Sequence, residues 1–142
     1  MSPAQRVPLR AAATAGCAVL VLASCTNTQA SINRRPQGGT ATASAVDGLQ
    51  QIIVKTGDTY RFDPATIIVH PGRVRVVLIN TGKGAPHNWT LRGDAIGLGT
   101  PLASSGQTKT ATFDAPAPGH YTVVCTIHEK QGQTGQLVVL KN

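Results

Sequence analysis

The segment YTVVCTIHEKQGQTGQLVV, Tyr121 to Val139, sets a thiol, Cys125, three residues ahead of an imidazole, His128, in a glycine-containing connection between two apolar runs. A second imidazole, His87, stands in GKGAPHNWTL, 38 residues before Cys125. A thiolate and two imidazoles in a trigonal set, with a weak fourth ligand on the axis, would make a copper centre that passes single electrons. The same donors also suit Zn²⁺ in a structural site. A histidine three residues after a cysteine is a common coincidence. The signal strengthens when PHN, PGHYTVVC and the Gly-rich return are taken together, because a single fold must then bring three donors to one end.

The elements that would do so are strands. From residue 50, β-branched runs alternate with turn residues: QQIIVKT, then Gly57-Asp58, YRF, Asp63-Pro64, TIIVH, Pro71-Gly72, RVRVVLIN and Thr81-Gly82. HNWTL, QTKTATF, HYTVVC and GQLVVL follow. No segment holds a helical period, and Asp94 to Leu102 is the one loose candidate for a short helix or loop. About eight short strands predict an all-β, Greek-key two-sheet sandwich. In RVRVVLIN, Val74, Val76 and Leu78 should share one face, with Arg73, Arg75 and Val77 on the other.

The N-terminus carries a different message. Arg6 and Arg10 precede the apolar run AAATAGCAVLVLAS, which is too short to span a bilayer and ends in small residues before Cys25, as in an export signal. LASC, Leu22 to Cys25, resembles a bacterial lipobox, which implies cleavage before Cys25 and a diacylglycerol thioether on its sulfur. Cys17 would leave with residues 1–24. Cys125 is then without a disulfide partner in an oxidising compartment, which points to a reactive, intermolecular or metal-bound thiol. The 118 residues that remain of 142 suffice for one modest core and keep 11 basic against 6 acidic side chains. Such a balance suits anionic headgroups or acidic partners, and nucleic acid is excluded for an exported chain with no basic run interleaved with aromatics. Residues 26–48 are rich in Thr, Ser, Ala, Gly and Gln and read as a flexible tether. The expected organisation is a signal peptide at 1–24, a lipidated Cys25 and tether at 25–48 and one domain at 49–142, with no internal repeat.

Residues 50 to 142 resemble a cupredoxin of the plastocyanin, amicyanin and auracyanin kind, through FDPATIIVHPGRVRVVLIN, APHNW and PGHYTVVCTIH. The resemblance implies that His87, Cys125 and His128 are the three strong ligands of one copper ion. It also implies that Asn88 ties the two ligand loops together by hydrogen bonds near Thr126. Plastocyanin-like proteins place a methionine five residues after the second histidine, where this chain has Gln133; its one methionine is Met1. The stellacyanin-like variant supplies the precedent, an axial glutamine amide oxygen. Gln131 is an alternative axial residue, and a solvated Gln133 would leave three ligands. The implied function is one-electron transfer by a monomer anchored to the extracytoplasmic face of the cell membrane, with no enzymatic activity and with redox partners that docking near His128, Ile127, Ala85 and Pro86 would admit. Copper buffering or delivery without a redox partner is the alternative, and a zinc-filled structural module a third reading. His70 and His120 fall at turn edges and are expected in solvent, Trp89 in the core, and Glu129 and Lys130 facing water.

Overall fold

A computed structural model describes residues 38–93 and 98–142. The expected signal segment, Cys25 and the tether up to residue 37 lie outside them, as do residues 94–97. Among the described residues nine strands follow one another: β1 Thr40–Thr42, β2 Ser44–Val46, β3 Leu49–Thr56, β4 Thr66–Val69, β5 Arg73–Asn80, β6 Thr90–Leu91, β7 Thr108–Asp114, β8 Gly119–Val124 and β9 Thr134–Val139. A 3₁₀ turn, Glu129–Gln131, interrupts them. One sheet has the order β1-β4-β9-β8-β6 and the other β2-β3-β5-β7, each mixing parallel and antiparallel pairs. No helix among the described residues is long and apolar enough to cross a membrane.

The sandwich begins earlier than residue 49, and the tether boundary must be moved back to at least Thr40. β1 pairs with β4 and β2 with β3. Both are short edge strands, so they need only part of one face covered and carry Thr, Ala and Ser without an apolar pattern. The turn joining β2 to β3 is Asp47-Gly48, with φ of 51° and 75°. Two positive φ values are what a tight hairpin matching strand twist requires, and Asp-Gly is its common sequence. YRF, in contrast, is not a strand. Tyr60 takes φ of 53°, and the nearest strand-like pairing is the isolated Lys55–Asp63 bridge just after the segment. HNWTL is paired as a strand only over Thr90–Leu91.

Alternation places the core where the sequence puts it. In β5 Val74, Val76 and Leu78 are buried and the intervening residues are not; in β3 Ile52 and Val54 point the same way. Facing them are Ile67, Val69, Val123, Leu137 and Val139 of the other sheet. Trp89 is 2% exposed and stacks on Phe113 with centroids 6.0 Å apart. Burying large apolar side chains contributes about 1.5–3 kcal/mol apiece. The two sheets therefore form a rigid frame whose one end carries the loops of interest.

Candidate metal centre

The inward rows of β3 and β5 both turn polar at the same level, because Thr56 pairs with Asn80 in register. Asn80 is fully buried. Its Nδ2 donates to the Ala85 and Ala103 carbonyls, each at 2.9 Å, and its Oδ1 accepts from Gly82 N at 2.9 Å. The loop ahead of His87 is thereby pinned to the sheet. His87 exchanges two main-chain hydrogen bonds with Ala103, at 3.0 and 2.7 Å. Both main-chain groups of His87 are thus tied to Ala103, and the residue is fully buried.

Cys125 follows the last residue of β8 and is also fully buried. Its N–H donates to Gln133 O and its carbonyl accepts from His128 N, both at 3.1 Å. Gln133 N–H donates to His128 O at 3.1 Å. The chain thus closes a short loop from Cys125 to Gln133 around the 3₁₀ turn, and Gly132 ends it at φ 81°, a left-handed conformation that glycine adopts without strain. Arg61 reaches across to donate to Gly132 O at 2.9 Å and to Tyr60 O at 2.6 Å.

The side chains converge. Ligand atoms of His87, Cys125 and His128 all lie within 4.8 Å of one another, and this is the one cluster of three such donors among the described residues. His128 Nδ1 lies 3.5 Å from Cys125 Sγ and 3.2 Å from His87 Nδ1. Gln133 Oε1 lies 2.9 Å from His87 Nδ1. His87 Nε2 is buried and has no hydrogen-bond partner among the described residues, so the ring's polar contacts all lie on its Nδ1 side. Desolvation by burial holds the pKa of both histidines below the usual 6.5, partly offset by Gln133. Burial thus favours the neutral rings that metal ligation requires. One thiol, two neutral imidazoles and an amide oxygen, closely grouped and shielded from water, fit a borderline or soft transition-metal ion such as copper or zinc.

Supporting contacts match expectation in part and extend it. Asn88 Oδ1 accepts from Thr126 N at 2.9 Å and from Thr126 Oγ1 at 3.1 Å, joining the His87 segment to the Cys125–Gln133 loop. Gln133 is fully buried rather than solvated, and it, not Gln131, faces His87. His70 and His120 are exposed, as are Glu129 and Lys130, with Glu129 paired to Arg92. Besides Asn80 and Arg61, two more contributors escaped the sequence reading. Tyr60 packs its ring 4.6 Å from that of His128 and 5.9 Å from that of His87, and Thr56 Oγ1 accepts from Gln133 Nε2 at 2.6 Å. Tyr60 hides in a bend that composition presents as strand. Thr56 is legible only as a polar residue closing an inward-facing apolar series. Beside the loop, Asp58 accepts from Lys83 N and Gly84 N, and these bonds lower its pKa from 3.8.

A family model described as a cupredoxin-like domain matches residues 15–139, most of the chain. The chain belongs to the cupredoxin-like family. Solved structures resemble it over nearly their whole length. Auracyanin A, a "blue" copper protein of the green thermophilic photosynthetic bacterium Chloroflexus aurantiacus, is 26% identical with a TM-score of 0.56, covering 65% of this chain and 99% of its own. Dithionite-reduced auracyanin of Roseiflexus castenholzii is 22% identical with a TM-score of 0.58, covering 64% and 97%. The metal-binding domain of the Cu(I)-exporting P-type ATPase CopA of Streptococcus pneumoniae D39 shares the fold at 16% identity and a TM-score of 0.56, covering 75% and 100%. No curated protein matches the sequence significantly.

Proposed function

We propose that this cupredoxin-like chain carries single electrons through a copper ion that His87, Cys125 and His128 would hold, with the Gln133 amide oxygen as a further donor. The observation that carries the reading is the convergence of one buried thiol and two buried imidazoles within 4.8 Å, on segments pinned by main-chain hydrogen bonds. Copper bound there would supply a one-electron couple and an intense thiolate-to-Cu(II) absorption. The protein's part is to hold the donors still, so that little rearranges between oxidation states. Asn80 and Ala103 fix His87, Asn88 fixes the residue after Cys125, and Tyr60 covers both rings. The likeness to auracyanin A supports copper as the ion.

His128 is 9% exposed and gives electrons a short way out, beside Ile127 at 47% exposure and an exposed Pro86 next to Ala85. This patch would admit redox proteins to a monomer, and no enzymatic step is needed. Buffering or delivery would use the same ligands, but complete burial of Cys125 and His87 favours a resident ion over one that is traded. The export signal and LASC support attachment through a lipid on Cys25 to the outer face of the cell membrane, in a periplasmic or equivalent setting. Adding Cu(II) to the purified protein should produce the intense visible band and a narrow copper hyperfine pattern in EPR, with reversible one-electron voltammetry. A colourless protein that takes up zinc alone would refute the reading.

A further inference from the structure

The inward positions of β3 run Ile52, Val54, Thr56, so the last of them ends an apolar series with a hydroxyl. Thr56 is 4% exposed. A hydroxyl buried that deeply is costly without a partner, and its partner is Gln133 Nε2 at 2.6 Å. Gln133 is itself fully buried, and its opposite terminus, Oε1, lies 2.9 Å from His87 Nδ1. An amide has a donor end and an acceptor end, and only the oxygen can bind a cation. Turned half a revolution, the same side chain would aim its NH₂ at the donor cluster.

We infer that Thr56 is the positioning residue that fixes the Gln133 amide with its oxygen toward His87, Cys125 and His128, and so sets how strongly the oxidised ion is favoured. The inference rests on the copper reading above. Thr56 is suited to the task because its backbone cannot drift. Its carbonyl accepts from Thr81 N at 2.8 Å and from Thr81 Oγ1 at 2.9 Å, and its register with Asn80 ties it to the strand that also pins the His87 loop. Its β-branched side chain is stiff at χ1 as well. A hydroxyl can also donate, but here it accepts from Nε2, and with Oε1 2.9 Å from His87 Nδ1 the oxygen is the end that faces the cluster.

The test compares Thr56→Val and Thr56→Ser in the full chain, each with and without Gln133→Met. Valine keeps the shape and strand preference and removes the hydroxyl, and Thr56→Ala replaces it if the valine variant does not fold. The first readout is NMR of the metal-free protein. The hydrogen-bonded Gln133 Nε2 proton should move upfield and exchange faster with water in Thr56→Val but not in Thr56→Ser. The second is the reduction potential of the copper-loaded protein. Freeing the amide should cost about tenfold in the preference for Cu(II) over Cu(I), a rise of about 59 mV for a one-electron couple. Serine should restore the wild-type value, and Thr56→Val should add no such rise when Gln133 is already methionine. An unchanged potential in Thr56→Val, or an equal rise in the methionine background, would overturn the inference. If the wild type shows no thiolate-to-Cu(II) band, the copper reading fails instead, and the NMR comparison still decides whether Thr56 orients the amide.

Discussion

Asn88→Ala should weaken both the fold and the metal centre, and by different amounts. Asn88 Oδ1 accepts two hydrogen bonds from Thr126, at 2.9 Å from its N–H and 3.1 Å from its hydroxyl. An internal hydrogen bond contributes a net of about 0.5–1.5 kcal/mol. Thr126 is exposed, so its hydroxyl can turn to water and that bond counts for little. The N–H is less well served by solvent, which leaves a loss of about 1–1.5 kcal/mol. For a domain of this size that corresponds to a fall in Tm of roughly 4–12 °C without metal. The second cost appears only with metal bound. Thr126 follows Cys125 directly, and loss of a residue that orients a ligand typically lowers metal affinity 10–100-fold, or about 1.4–2.8 kcal/mol. Calorimetric melts of both forms, with chelator competition for affinity, separate the two contributions. Equal shifts in Tm with and without metal would show that Asn88 serves the fold alone, and no shift in either would refute the reasoning altogether.

Other substitutions and conditions probe other links. Cys125→Ser should abolish the thiolate-to-Cu(II) band while circular dichroism stays native, since the core is carried by the strands; a retained full visible spectrum would remove Cys125 from the centre. Gln133→Met exchanges an oxygen that favours Cu(II) for a thioether that favours Cu(I), so the potential should rise; a ligand preference of ~2 kcal/mol would give roughly 90 mV, measured by protein-film voltammetry. Burial depresses the pKa of His87 and His128, so the native state binds fewer protons than the unfolded chain. Stability of the metal-free protein should therefore be complete above about pH 6.5 and decline as the pH falls through the lowered folded-state values, and urea midpoints that do not fall on acidification would contradict this. Cys25→Ser should release the protein from membranes with copper binding unchanged; fractionation with lipid labelling decides it, and an unlabelled wild type would count against the anchor.

The sheets were legible because alternation is a local property. Val74, Val76 and Leu78 could be assigned to one face from period two alone, and they are buried. The edges were not, because β1 and β2 bury too little to need an apolar pattern, although Asp47-Gly48 was a hairpin signal in plain view. Tyr60 and Arg61 sit in a run whose aromatic and charged residues suggest a strand, yet a positive φ at Tyr60 turns it over the two histidines. Backbone conformation at one non-glycine residue is set by its tertiary surroundings, and no spacing rule reports it.

That His87, Cys125 and His128 come together was legible from residue type; what holds them in place was not. An inward polar residue at the end of a strand reads as the point where the core stops. Thr56 and Asn80 both look like that, yet they stand side by side in register and each spends its side chain on a different segment of the centre. Thr56 takes the Gln133 amide, and Asn80 takes the carbonyls of Ala85 and Ala103 on either side of His87. Apolar burial lower in the same two strands fixes their register, and the register then fixes the level at which both polar groups appear. The precision of the centre is thus inherited from the core, because Leu78 and Val54 lie two residues before Asn80 and Thr56 on the same inward faces and pair in the same register.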